Sequence, residues 1–313
     1  MGLDKPRTAV ISLNVAQLAA FCTAGSSFGA ELSAIVVVEK KDLEQAKLCS
    51  AQKVYFIEKD PEILFDDYFA SIYKVLIDEG FHYVLLDSSR RSRAIAARLA
   101  AKLNTSLIPD VSRMWLEEGQ VFAEHMVFGG SALRIERCAS PTNVAVVADE
   151  MLSEQEPEGI CENIVEASFV EPKHRSHIVG KKLRETEQVN LARAKKVVSI
   201  GRGLAEQEDL KLIEEFASSI GAELGCTRPV AEGSGWMPKE RYIGVSGAKL
   251  NADVFVAIGL SGQVQHMVGA SNSKSVYAIN KDKSAAIFKQ ADYGIVGDLY
   301  KVLPKLTKAL ELS

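Results

Sequence analysis

The sequence predicts an α/β protein of two domains, the second a doubly wound parallel sheet, on three observations. Short Val- and Ile-rich runs alternate with helical apolar stripes in both halves, as parallel βαβ units require. The chain has 313 residues, room for two cores at ~150 residues per domain. A charge-dense stretch poor in large apolar groups, Glu171–Lys196, separates the halves and reads as a linker.

In the first half Ala9–Leu13, Leu32–Val38, Val54–Ile57 and Tyr83–Leu86 are the strand candidates. Helical stripes fall at Ile63, Phe69, Ile72, Tyr73 and Leu76, and again at Ile95, Leu99 and Leu103. The pattern then turns β-rich. Arg113–Leu116, Val121–Phe128, Ala132–Ile135 and Val144–Val147 read as strands, with turns at Glu118-Gly119 and Gly129-Gly130, extending the first sheet. Residues Glu150–Glu162 are acidic, carry Pro157 and Gly159, and mark a boundary. In the second half Val197–Ile200 opens a new sheet. A stripe of Leu210, Ile213, Phe216, Ala217 and Ile220 follows and ends at Gly221. Val254–Ile258, Val276–Ile279 and Tyr293–Val296 are further strands, and the last helix carries Leu299, Val302, Leu303, Leu306 and Leu310 with a kink expected at Pro304.

Composition removes several functions. Net charge is −4 and charged residues are 25%, so the general basic field of a nucleic-acid binder is lacking. No apolar run reaches the ~18 residues that span a bilayer, and no signal-peptide pattern opens the chain. The five cysteines form no CxxC pair and read as reduced thiols, the expectation for a cytoplasmic protein. His174 and His177 lack cysteine or carboxylate company at ligand spacing, so no metal site is expected. No nucleophile elbow, HExxH or Walker A motif is present, and no catalytic residue is assigned.

In a doubly wound sheet ligands sit beyond the carboxyl ends of the strands. Four strand ends of the second half carry suitable residues. Gly201-Arg202-Gly203 combines close backbone approach with a cation, against the plainer reading of a tight turn. Gly259-Leu260-Ser261-Gly262 repeats the strand–glycine–helix pattern before Gln263–Val268. Asn280-Lys281-Asp282 offers an amide, and Gly297-Asp298 a carboxylate that equally suits a helix cap. Two such glycine turns in one sheet favour nucleotide binding. An ordinary NAD site is disfavoured, because Glu206 stands where the fingerprint wants its third glycine and Glu223 begins its strand instead of ending it. An NAD-dependent oxidoreductase and a non-redox adenine-nucleotide module remain the alternatives. His266 lies among these turns, where a structural histidine is the commoner reading. The run Ser88-Ser89-Arg90-Arg91-Ser92-Arg93 reads as a helix-initiating loop with a solvated face, phosphate binding being its alternative.

The segments VVSIGRGL, GCTRPVAE, RYIGVSG, VAIGLSGQVQHMVGA, YAINKD and ADYGIVGDLYKVLP, from Val197 to Leu310, resemble the FAD domain of electron-transfer flavoprotein α subunits in order and spacing. HMVFGG and ERYIGVSG resemble the FixB-like branch. The resemblance implies an N-terminal α/β domain over 1–170 that contacts a β subunit, a charged linker over 171–196 and an FAD-binding domain over 197–313. Carried over, it places Arg202 and Thr227 on FAD and Arg228 against the isoalloxazine. Ile243, Gly244, Val245 and Ser246 would pass the flavin, Ser246 standing for a threonine that bonds N5. Ser261, Gly262, Gln263, Val264, Gln265 and His266 would follow the pyrophosphate and ribityl, with His266 reaching flavin O2. Asn280, Asp298 and Leu299 would hold the adenosine end. The family's V-G-Q-T-G is Ile243-Gly244-Val245-Ser246-Gly247 here, so the glutamine side chain is missing and the flavin's hydrogen bonding differs. The implied function is electron carriage in a heterodimer. Its β subunit would carry AMP or a second FAD, and its redox partners would be flavoproteins of the acyl-CoA dehydrogenase or enoyl-CoA reductase type. A cation and a donor near N1 and O2 would stabilise the charge of the reduced flavin.

Overall fold

The structure is a computed structural model that describes residues 6–26, 31–148, 151–152, 159–180 and 189–310. Contacts divide the chain into two compact units, 1–127 with 132–182, and 128–131 with 183–313.

The first unit is built on β1 (Arg7–Ser12), β2 (Glu31–Val38), β3 (Lys53–Glu58), β4 (Tyr83–Leu86), β5 (Leu107–Glu117), β6 (Gln120–Val127), β7 (Ala132–Arg137), β8 (Asn143–Val147) and β9 (Ile164–Glu166). They form one mixed sheet in the order β7-β6-β5-β8-β4-β1-β2-β3-β9. Its helices are α1 (Val15–Ser26), α2 (Leu43–Ala46), α3 (Phe69–Glu79) and α4 (Arg90–Lys102). The central strands are parallel and buried on both faces, which is why they read as continuous apolar runs. Val10, Val36 and Leu85 pack towards Leu18 and Phe21 of α1. Their neighbours Ile11, Ile35 and Leu86 pack the other way, against Ile72 of α3 and Ile95 and Leu99 of α4.

The expected β-rich extension is present as the β5-β6-β7 meander. Glu118 and Gly119 both take positive φ, 49° and 75°, the two-residue turn whose twist matches the strands it joins. β5 starts well before the expected Arg113. Its first residues pair parallel with β8, and a register shift between Ile108 and Val111 precedes antiparallel pairing with β6. Asp110 at φ 51° makes that shift, and Pro109 beside it hid the strand from an alternation pattern.

The second unit carries β10 (Lys196–Ile200), β11 (Glu223–Cys226), β12 (Val254–Ile258), β13 (Ser275–Asn280) and β14 (Tyr293–Val296). All pair in parallel, in the order β11-β10-β12-β13-β14. Helices α5 (Leu210–Ile220) and α7 (Leu299–Leu310) cover one face, packing Ile213, Phe216 and Leu303 on Val198, Ile200 and Val256. Leu250, Ala252 and Ile287 close the other face over Val197, Phe255 and Ala257. A short helix, α6 (Val264–Met267), follows β12, and Pro304 lies within α7. α5 ends at Gly221 in the left-handed conformation, as its sequence predicts.

Of the two charged boundary segments, residues 150, 153–158 and 181–188 lie outside the described residues. Just before the second segment Phe169 meets the Tyr68 ring edge-on and the Val170 N–H donates to the Ser71 hydroxyl at 2.9 Å, and within it the Ser176 N–H donates to the Asp67 carboxylate at 3.4 Å, so its first described part belongs to the first unit. Leu191 is buried in the second. The cysteines are free thiols, and burial pushes Cys226 up to about 12. Among the described residues, no helix is long and apolar enough to cross a membrane, and no group of three or more His, Cys, Asp or Glu could hold a metal.

Candidate functional site

The five strands of the second unit run parallel in level register, with Ile200 opposite both Cys226 and Ile258, Ile258 opposite Ile279, and Asn280 opposite Val296. Their carboxyl ends therefore form one edge, about 19 Å long from β11 to β14 at ~4.8 Å per strand. Thr227 and Arg228, then Arg202, then Ser261, then Asn280, then Asp298 lie along it in sheet order. Strand order reverses between β10 and β12, where a doubly wound sheet opens its binding crevice.

The two glycine turns meet there. The Gly201 N–H donates to the Ile258 carbonyl at 3.1 Å and the Gly203 N–H to the Gly259 carbonyl at 2.8 Å. A Cβ on Gly201 would lie 2.5 Å from the Leu260 Cβ, and one on Gly203 would lie 2.6 Å from the Gly259 Cα. These glycines bring one turn against the other, and Gly259 and Leu260 take the space that side chains at 201 and 203 would need. Arg202 between them is exposed and makes no ion pair among the described residues. Behind the second turn, the Ile287 N–H donates to the Ser261 carbonyl at 3.0 Å and Gln290 Nε2 to the Gly262 carbonyl at 3.1 Å. The Ser261, Gly262 and Gln263 N–H groups find no protein acceptor among the described residues, and the Ser261 and Gln263 side chains are exposed.

Hydrogen bonds gather three distant segments at the β11 side of this crevice. The Ile243 N–H donates to the Cys226 carbonyl at 3.0 Å, and the Val245 N–H to the Gln265 carbonyl at 2.8 Å. His266 Nδ1 lies 2.9 Å from the Ile243 carbonyl. Gly244 at φ 150° permits this crossing, since a Cβ there would lie 2.6 Å from the Gln265 oxygen. The side chains of Val245, Ser246 and Val264 remain exposed, while Ile243 is buried. Arg228 is exposed, its Nε donating to Glu232 at 2.6 Å across a wide helical turn over Pro229–Ser234. Thr227 is half-buried, its carbonyl starting that turn.

His266 is buried, and burial lowers its pKa to about 4 against the opposing pull of the Ile243 carbonyl. It is a neutral ring at pH 7. A carbonyl only accepts, so the proton sits on Nδ1, and Nε2 accepts from the Ser199 hydroxyl at 3.4 Å. The resemblance gives His266 a donor's part towards a flavin; here its one N–H is committed to Ile243. The pair is not a nucleophile–base couple either, because Ser199 is fully buried in mid-strand and no carboxylate among the described residues orients the ring.

At the far end, Asn280 Nδ2 donates to the Leu260 carbonyl at 2.8 Å and Oδ1 accepts from the Asp282 N–H at 3.0 Å. Asp298 accepts from the Tyr300 N–H at 3.0 Å and so caps α7, while Leu299 is buried beneath Gly259. Glu223 opens β11, as its sequence predicts, and lies at the opposite end of the strand from the site.

Cations, free N–H groups and hydroxyls on one extended edge form a donor set that fits a long ligand with phosphates at its middle. Three supporting residues escaped sequence reasoning: Ser199, Glu232 and Gln290. Only Ser199 had a signal, a hydroxyl inside the apolar run Val197–Ile200.

The family model described as the electron transfer flavoprotein FAD-binding domain matches residues 190–271, and that described as the electron transfer flavoprotein domain matches 13–168. YdiR of Escherichia coli strain K12, whose name describes an electron transfer flavoprotein subunit, is 39% identical over 280 residues, covering 88% of this chain and 89% of that protein. Protein FixB of Escherichia coli O1:K1 / APEC is 39% identical over 279 residues, 88% of each chain. Protein FixB of Salmonella paratyphi A is 36% identical over 305 residues, 96% of this chain and 97% of the relative.

Proposed function

Because the chain belongs to the electron transfer flavoprotein family, as an α-like member with FAD as its cofactor, we propose that its carboxyl-terminal edge holds one FAD and passes electrons between flavoprotein partners. The observation that carries this reading is the coincidence of the matched FAD-binding domain with the β10–β12 crevice and its line of donors. Bound FAD supplies the redox chemistry, taking up and releasing electrons singly or in pairs.

The chain's own residues bind and tune. Arg202, Thr227 and the segment from Ser261 to Gln265 hold the phosphates and ribityl, the N–H groups of Ser261, Gly262 and Gln263, which have no protein acceptor among the described residues, serving the anionic oxygens. Arg228 and the stretch Ile243, Gly244, Val245 and Ser246 border the isoalloxazine. Arg228 supplies positive charge there, its direction set by Glu232. Ser246 keeps a hydroxyl beside the ring, whereas Val245 supplies only apolar cover. His266 acts from behind, fixing the Ile243 carbonyl and so the course of this stretch. Asn280, Asp298 and Leu299 form the adenosine end. The second Nδ2 proton of Asn280 stays available after its bond to Leu260.

We assign the chain a β-subunit partner carrying AMP or a second FAD, and redox partners of the acyl-CoA dehydrogenase or enoyl-CoA reductase type. The charged stretch 171–196 serves as the strap between its two domains. In a cytoplasmic heterodimer of this kind the chain carries electrons and needs no side-chain acid, base or nucleophile.

Arg228→Ala tests the tuning role. The variant is expected to retain flavin absorbance, with the midpoint potential lowered by a few tens of millivolts, where about 30 mV is a tenfold change in a two-electron equilibrium. A flavin-loaded variant with an unchanged potential contradicts the placement of Arg228.

A further inference from the structure

We propose that the first unit carries a small-molecule site of its own, in the crevice between the carboxyl ends of β1 and β4, built for a phosphomonoester with an apolar moiety. The chain passes from β1 to β2 and β3 on one side of the sheet, then places β4 on the other side of β1. Ile11 lies opposite Leu86, so both strands end at the same edge. At such a reversal the following connections diverge and leave an opening. The structure has a cavity of about 360 Å³ there. That volume is near the lower end of small-ligand pockets, large enough for a mononucleotide and too small for a dinucleotide.

The lining states the chemistry. Lys59, Arg90 and Arg91 line the cavity, and none of them makes an ion pair among the described residues. Arg93, one turn on, is by contrast paired with Asp110. The one acid in the lining, Asp87, is buried and already engaged. Its carboxylate accepts from the Ser89 N–H at 2.8 Å and from the Ser92 hydroxyl at 2.9 Å. Lys59 also feels the nearby Glu39 carboxylate, so Arg90 and Arg91 carry most of the positive excess of the lining, which favours an anionic group such as a phosphomonoester. Leu13, Val37 and Phe65 supply an apolar wall, so a bare inorganic ion would leave part of the cavity unused. Asn14 lines the same opening, with its Oδ1 on the Ala16 N–H and its amide donors available. The run Ser88–Arg93 therefore does more than start α4.

The site is independent of the FAD reading and is tested on the full chain loaded with FAD. AMP, ribose 5-phosphate and inorganic phosphate are titrated calorimetrically at physiological salt while flavin absorbance is followed. The expected result is one AMP per chain with flavin retained, binding in the order AMP, ribose 5-phosphate, phosphate. Arg90→Ala with Arg91→Ala, both exposed and outside the core, is expected to weaken AMP at least about tenfold; Lys59→Ala is expected to weaken it separately. No heat with any probe, flavin loss on AMP addition, equal binding of phosphate and AMP, or unaltered binding by the variants would each overturn the proposal.

Discussion

A histidine held neutral by burial couples this fold to pH. The folded pKa of His266, about 4, lies below the unfolded value of 6.5, so the unfolded chain takes the proton first. The contribution to stability is complete above about pH 6.5 and is lost as the pH falls towards 4. The loss by pH 5 is on the order of 2 kcal/mol. His266→Asn keeps an amide donor near the position of Nδ1 and removes the titration. The drop in melting temperature between pH 7.5 and pH 5 is expected to be smaller in the variant by several degrees. An equal drop in both proteins would place the acid sensitivity elsewhere. This bond was not legible in the sequence. Isoleucine at 243 gives no hint that its carbonyl, 23 positions away, is the partner of a histidine.

At the scale of elements, the two glycine turns act as one structure. Gly203→Ala would push a Cβ into the Gly259 backbone, which cannot withdraw as a flexible side chain would. The expected cost is about 1–3 kcal/mol by analogy with overpacked cores, together with weaker FAD retention, read from denaturant midpoints and flavin content. A variant of full stability and full flavin content would show that the turns tolerate separation. Elements of this kind were legible where apolar pattern and punctuation agree. The β12 and β14 bounds, and the α5 stop at Gly221, follow from short apolar runs and a left-handed glycine. Helix α1 was not legible, because VAQLAAFCTAGS is apolar on most sides and carries no amphipathic stripe. β9 was hidden because three residues in an acidic stretch become a strand only by pairing with β3. In the candidate site the glycines, Arg202 and Asp298 were visible as strand-end residues, but which neighbour each glycine serves is a tertiary fact.

The whole molecule repeats one principle in two sheets: a strand order that reverses beside the first strand, with the polar residues collected at that reversal. In the second unit the edge is long, suited to an extended dinucleotide; in the first the reversal holds a half-open cavity of about 360 Å³. The chain brings charge and hydrogen-bond donors to a cofactor and keeps the buried His266 neutral behind them. The most direct test of that account is an absorption spectrum of the chain purified with its β-type partner, followed by stepwise anaerobic reduction. Flavin bands attributable to one FAD in this chain, bleached and restored reversibly, are the predicted result. A complex that is colourless and stays colourless after FAD is added would contradict it.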